Sequence, residues 1–201
     1  KDWYPMHRYV NVSDGTKGIT MASLDAPLLN FGGITAGKWT GSGDLTPEGP
    51  HLYSWAINNH WMVNFKASQE GKIPFRYRFQ THSHDFDTSA SFKFGLDSLS
   101  PPIILRDKKR MSDKTEDTFI SCDSKFINFT IKPGEDSNAI IIRAQNLNTD
   151  NSQCHFVTKF NIKKIYETDI LENNLEEINS NINDFNLTFV GNEIKTLKIL
   201  L

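Results

Sequence analysis

HLYSWAINNHWMVNFKASQEGKIPFRYRF, residues 51–79, is the stretch that decides the fold. In its first half Tyr53, Trp55, Ile57, Trp61, Val63, Phe65 and Ala67 share one parity, and Ser54, Asn58, His60, Asn64, Lys66 and Ser68 share the other. A period of two marks a β-strand with one dry face. A tight hairpin at Asn58-Asn59 would set Ile57 opposite His60 and Ala56 opposite Trp61, scrambling that face. The sequence therefore predicts one long strand, bulged at Asn59. Beyond the turn signal Glu70-Gly71-Lys72, Phe75, Tyr77 and Phe79 alternate with Arg76, Arg78 and Gln80, which predicts a second strand returning beside the first. Two half-apolar strands need a second layer to cover them, so the class expected is all-β.

Composition narrows the partners. With 201 residues, 38% of them hydrophobic, the chain suits one large or two small globular domains. A net charge of -2 gives no global attraction for nucleic acid or an anionic membrane surface. No apolar run approaches the roughly 20 residues that span a bilayer, and KDWYPMHRYV lacks the apolar core of a signal peptide. A soluble protein is expected, secreted or periplasmic in preference to cytoplasmic. The first residue is Lys1, which fits a processed product or a piece of something longer. Cys122 and Cys154 show no metal-ligand spacing and no CxxC motif; they read as two buried free thiols, or as a pair under oxidising conditions.

Outward from the central stretch, Tyr9-Val10 and Ile19-Thr20-Met21 read as two strands joined by a turn-rich loop. Gly32-Gly33 reads as a plain loop or as a place where positive φ or close backbone approach is needed. Thr40 to Pro50 is too rich in Gly and Pro for regular structure. In THSHDFDTS, His82 and His84 share one side of a strand, so an ion held with Asp85 and Asp87 is one reading; a solvated strand end is the commoner one. Phe92, Phe94 and Leu96 alternate as a short strand. Pro101-Pro102 and the charged run from Arg106 to Arg110 mark a boundary, placed after residue 108. Beyond it, Phe119–Ser121, Phe126–Ile131, Ala139–Ala144, Cys154–Ile165, Phe185–Val190 and Ile194–Leu200 read as short strands at sandwich spacing. Glu167 to Asn183 is ambiguous, with Leu171, Leu175 and Ile178 placed for a short helix. No P-loop, dinucleotide fingerprint, nucleophile elbow or HExxH helix occurs in the chain.

The segment Tyr53-Ser54-Trp55, Asn58-Asn59, Trp61, Asn64-Phe65, Gln69, Gly71 and Phe75-Arg76-Tyr77 resembles the end of the large β-domain in family 38 glycoside hydrolases, the retaining α-mannosidases. RYVNVSDGTKGITMASLDAPLLNFGG is similar to the preceding strands of that domain, and IIIRAQNL, YETDILE and GNEIKTLKIL are similar to the final C-terminal sandwich. The resemblance covers nearly the whole chain in the right order. It implies the closing part of a galactose mutarotase-like supersandwich over residues 1–108, then a smaller C-terminal β-sandwich over 109–201. It also implies that zinc, its His and Asp ligands and the nucleophile belong to an N-terminal α/β catalytic domain of the same polypeptide. No catalytic residue and no metal ligand is then expected in this chain.

Many family members carry Asp-Arg where this chain reads Asp25-Ala26-Pro27, so a substrate contact from that arginine does not carry over. Asp25 is retained as a substrate-binding candidate. Asn58, His60 and Asn64 offer amide and imidazole donors suited to sugar hydroxyls, although a solvated outer strand face has the same pattern. Trp39, in a Gly-rich loop, suits stacking on a sugar ring, whereas Trp55 and Trp61 read as core. Asn11, Asn128 and Asn186 head Asn-x-Ser/Thr sequons. The first functional expectation is a non-catalytic β-region of a zinc-dependent retaining α-mannosidase, bracing the catalytic domain and touching the carbohydrate, a mannoside. The alternative is a free-standing carbohydrate-binding or interaction module, and a third is a metal hydrolase built on His82, His84, Asp85 and Asp87. A sheet face cut from a larger sandwich would favour homodimerisation.

Overall fold

The computed structural model describes residues 3–34, 47–57, 66–106, 117–135 and 138–201. The chain divides into two compact units, Lys1–Ile104 and Leu105–Leu201. The division falls between Ile104 and Leu105, a few residues beyond Pro101-Pro102. Among the described residues no helix is long and apolar enough to cross a membrane.

The first unit contains strands β1 (Tyr4–Pro5), β2 (Val10–Ser13), β3 (Gly18–Ser23), β4 (Leu28–Phe31), β5 (Leu52–Ser54) and β6 (Tyr77–His82), and one helix, α1 (Thr88–Leu99). They form two three-stranded antiparallel sheets, in the orders β1-β4-β5 and β2-β3-β6. Met21, Met6 and Leu29 build a small core, with Val10, Phe31, Leu52 and Tyr77 packed against it. Thr20, Met21, Ala22 and Ser23 are all buried, because β3 is covered on both faces: Met21 lies in the core, and Thr20 hydrogen-bonds Ser91 of α1. A strand buried on both sides loses its alternation.

Three expectations fail in this unit. The long strand over residues 53–67 is absent from the described residues, since β5 ends at Ser54, residues 55–57 leave the strand, and residues 66–76 contain none. The reason is the partner: β4 begins at Leu28, and after Trp55 N–H donates to the Leu28 carbonyl at 2.9 Å no ladder remains. The second strand starts at Tyr77 and pairs with β3, not with β5. Finally, Phe92, Phe94 and Leu96 lie on a helix. Asp87 caps it, its carboxylate accepting from Ala90 N–H at 3.1 Å. The buried positions Ser91, Phe92, Gly95 and Ser98 recur at helical spacing, but three are small and escape an apolar count.

The second unit is a two-sheet sandwich. Its strands are β7 (Ile120–Cys122), β8 (Ile127–Pro133), β9 (Ala139–Asn146), β10 (Ser152–Thr158), β11 (Lys164–Thr168), β12 (Asn174–Ile178), β13 (Asp184–Phe189) and β14 (Ile194–Leu200). The sheet β13-β10-β7 faces the sheet β12-β11-β14-β9-β8. Ile120, Phe156, Phe185, Leu187 and Phe189 from the first meet Ile127, Ile142, Ala144, Ile165, Leu197 and Ile199 from the second. Phe156 and Phe185 stack at 5.0 Å, and Phe129 meets Phe156 edge-on at 5.4 Å.

Two corrections arise here. The single strand expected over Cys154–Ile165 is two strands in different sheets, β10 and β11. Cys154, Phe156, Phe160 and Ile162 share one parity, so the alternation runs on past the end of β10, while Ile165, on the other parity, enters the same core from the facing sheet. The crossover is held where Thr158 N–H and Ile162 N–H donate to Asn183 and Ile182 carbonyls. The ambiguous helix of 167–183 is instead a β11–β12 hairpin. Asp169 accepts from Leu171 N–H, Asn173 N–H and Asn173 Nδ2–H, which closes the turn.

Candidate functional site

The groups able to meet a ligand in the first unit gather in three places. At the first, Asp25 closes the corner between β3 and β4. Its Oδ2 accepts from Arg76 N–H at 2.7 Å and Arg76 Nε–H at 3.0 Å, and Oδ1 accepts from the guanidinium at 2.8 Å. Leu24 N–H donates back to the Arg76 carbonyl at 3.0 Å. These hydrogen bonds hold the Asp25 carboxyl below the ordinary aspartate range. A carboxylate gripped in this way acts first as a clamp on the approach to β6.

The second place is a cavity of about 450 Å³ lined by Asn30, Ile34, Leu52, Tyr53, Ser54, Trp55, Ala56 and Ile57. Trp55 donates its indole Nε1–H to Asn30 Oδ1 and packs edge-on against Trp3 at 3.8 Å. Asn30 is 2% exposed, so its amide is fixed by burial. Trp55 is therefore half-buried at a cavity wall rather than in the core. An indole, a phenol and a serine hydroxyl around a shallow hollow can offer an apolar platform with hydrogen-bonding edges. Of the other candidates, Trp39, Asn58, His60 and Asn64 lie outside the described residues, as does Trp61.

The third is a polar cleft of about 510 Å³ whose lining includes Lys17, Thr20, His82, His84, Asp87 and Ser91. Asn11 Nδ2 donates to Thr20 Oγ1 at 2.8 Å and meets His82 Nε2 at 2.9 Å. His82 Nδ1 lies 2.8 Å from the His84 carbonyl, an oxygen that only accepts, so Nδ1 carries the proton and Nε2 accepts from Asn11. His84 Nδ1 faces the Asp85 carbonyl in the same way and carries its proton too. With its Nε2 lone pair given to Asn11, His82 does not fit a metal ligand. Among the described residues no three His, Cys, Asp or Glu side chains are placed to hold an ion. Asn11 also spends its sequon amide inside this network. Nothing in the spacing of Asn11, Thr20, His82 and Ser91 marks them as partners, because the first two share a hairpin and the others arrive from distant segments.

Comparison with known proteins turns on the second unit. Residues 126–197 match the family described as glycosyl hydrolases family 38 C-terminal beta sandwich domain. The second unit carries that family 38 domain. The match spans β8 to most of β14, which takes in four whole strands of the five-stranded sheet, β14 as far as Leu197, and β10 and β13 of the other sheet. No curated protein matches the chain. Among solved structures, a protein of glycosyl hydrolase family 38 from Enterococcus faecalis is similar over 98% of this chain, with a TM-score of 0.69 and 16% identity. An alpha-mannosidase from Enterococcus faecalis V583 is similar over 98% of the chain at TM-score 0.57 and 17% identity. This chain spans 22% and 21% of those two chains, so the likeness is one of fold over a portion of each.

Proposed function

We propose that this chain is the C-terminal β-region of a zinc-dependent retaining α-mannosidase, non-catalytic by itself, which braces the catalytic domain of the same polypeptide. The observation that carries this reading is the family 38 sandwich at residues 126–197, within a chain that aligns over 98% of its length to about a fifth of each larger family 38 structure. Zinc and the two reacting carboxylates then belong to the catalytic domain. Bracing affects rate through positioning, since small displacements of a catalytic group are costly.

A feature of the first unit supports an origin in a larger sandwich. In one row of the β2-β3-β6 sheet, Val10, Met21 and Phe79 are register partners on the same face. Met21 is 7% exposed while Phe79, on the terminal strand β6, is 59% exposed. The core layer is finished over β3 and open over β6, which is the edge to which a neighbouring domain or a second copy would bind. The alternative reading, a carbohydrate-binding module, would place the sugar at the Trp55 cavity, where a mannoside ring has an aromatic wall.

Isothermal titration with mannosides, paired with hydrolysis of a chromogenic α-mannoside by the same preparation, tests the reading. Neither binding nor turnover is the expected result for a bracing region. Binding without turnover favours a carbohydrate-binding module, with Trp55→Ala and Trp39→Ala as the variants that locate it. Zinc-dependent turnover by this chain would overturn the proposal.

A further inference from the structure

Cys122 and Cys154 are free thiols on neighbouring strands of the second unit. Cys122 ends β7, an edge strand, and is half-buried; Cys154 lies on β10 and is 4% exposed. The register sets Cys122 opposite Phe156, so Cys154 is its diagonal neighbour two residues along, on the same face. Cys154 belongs to the core cluster of this unit, and Cys122 packs against that cluster. Two neighbouring thiols on one face, one partly exposed at a sheet edge and one buried beside it, match the arrangement of an attacking and a resolving cysteine.

We propose that Cys122 and Cys154 form a reversible dithiol–disulfide couple that reacts with low-molecular-weight disulfides such as oxidised glutathione, with Cys122 attacking and Cys154 resolving. Cys122 Sγ, as thiolate, attacks one sulfur of the small disulfide, forming a mixed disulfide and expelling one small thiolate, which takes up a proton. Cys154 then loses its proton and attacks Cys122 Sγ, forming the Cys122–Cys154 bond and expelling the second small thiolate. The protein dithiol is oxidised by two electrons and the small disulfide is reduced to two thiols.

Three features favour this order. The neighbouring Cys154 thiol, aided by the Ser124 backbone and the nearby His155, outweighs burial and the Asp123 carboxylate and brings the Cys122 thiol down to about 7, whereas the same neighbour and burial push Cys154 up. The neighbouring polar groups are themselves fixed: Asp123 Oδ1 accepts from His155 N–H at 2.8 Å, and His155 Nε2 lies 3.3 Å from Asp184 Oδ1. Finally, diagonal Cβ atoms in a sheet stand about 7 Å apart or somewhat less, against about 4 Å in a disulfide. Closure therefore draws the end of β7 along β10, which an edge strand ending at that residue permits, and the resulting bond is readily reduced.

The test uses the full chain in glutathione buffers of increasing oxidised fraction, read by intact mass and by peptide mapping. The expected product is a monomer lacking two hydrogens, with Cys122 linked to Cys154 and restored by reduced glutathione. Cys154→Ser should stop at a single glutathione adduct on Cys122, and Cys122→Ser should acquire none. Timed alkylation of the wild-type protein, which needs no variant, should modify Cys122 about tenfold or more faster than Cys154, with a pH midpoint near about 7. Persistence of both free thiols in the folded wild-type protein, only intermolecular disulfides, or first reaction at Cys154 would each overturn the proposal.

Discussion

Arg76 grips both oxygens of Asp25, with its backbone N–H and Nε–H on Oδ2 and its terminal guanidinium nitrogen on Oδ1. The planar fork matches a carboxylate edge in a way that a lysine ammonium cannot. The pair joins the β3–β4 corner to the residue just before β6, so it fixes where the Arg-rich segment enters the sheet.

The Asp25 carboxyl titrates below its ordinary value in the folded chain, chiefly through the Arg76 hydrogen bonds. A lowered folded value contributes stability that is complete above the ordinary aspartate range, near pH 4, and is lost as pH falls through the folded value. Asp25→Asn should therefore be less stable than wild type at pH 7, and the difference should close as pH falls below the ordinary aspartate range and through the folded value. Urea midpoints of the two proteins across that range check it. Arg76→Lys should behave as a partial version of the same change, because it keeps the charge and loses the fork.

The core of the second unit places its heaviest demand on Phe156. It is fully buried, stacks on Phe185 and meets Phe129 edge-on. Phe156→Ala should cost about 3–5 kcal/mol, and Phe156→Leu much less because it leaves a smaller cavity. Denaturant unfolding followed at a probe in this unit measures both. Equal losses for the two variants would mean that ring stacking, rather than volume, dominates.

Gly32 and Gly33 are adjacent and predict opposite results. Gly32 has φ of +77°, and a Cβ there would stand 2.6 Å from Glu48 N; around Gly33 a Cβ meets nothing within 4 Å. Gly32→Ala should destabilise by more than about 1 kcal/mol, from left-handed strain and the backbone clash together. Gly33→Ala should be neutral or slightly stabilising. Thermal unfolding of the two variants side by side provides the check.

Much of the sandwich was readable from sequence because its strands alternate against one wet and one dry face; Ile194–Leu200 is a strand over the residues that its pattern marks. What failed did so for tertiary reasons. Residues 53–57 alternate well, but a strand needs a partner, and β4 supplies none beyond Leu28. Helix α1 buries Ser91, Gly95 and Ser98, whose small side chains produce no apolar periodicity. Phe156 and Ile165 share a core from two sheets, a fact that one-dimensional alternation cannot express. Of the candidate site, Asp25 was identifiable as a functional-looking carboxylate, while its partner Arg76, 51 residues away, was not. The Asn30–Trp55 pair was hidden by the assignment of Trp55 to the core.

The turn after β11 gives a last prediction. Glu172 takes φ of +69°, rare for a residue with a Cβ, and is 8% exposed. It is held there by Lys132, whose ammonium donates to Oε1, and by Glu135 N–H on Oε2; Arg143 donates to the neighbouring Ile170 carbonyl at 2.8 Å. Lys132 also keeps the Glu172 carboxyl below the ordinary glutamate range, so the contact strengthens the turn above about pH 4 and releases it as pH falls through the folded value. The turn lifts Ile170 and Leu171 to 71% and 74% exposure. Lys132→Ala removes the partner that offsets the strained backbone while leaving Asp169 to close the turn. Amide exchange of Glu172 and Glu135 should then speed up at neutral pH, while core amides such as that of Phe156 should not change. Unaltered exchange at both positions would show that the Asp169 hydrogen bonds alone hold the turn.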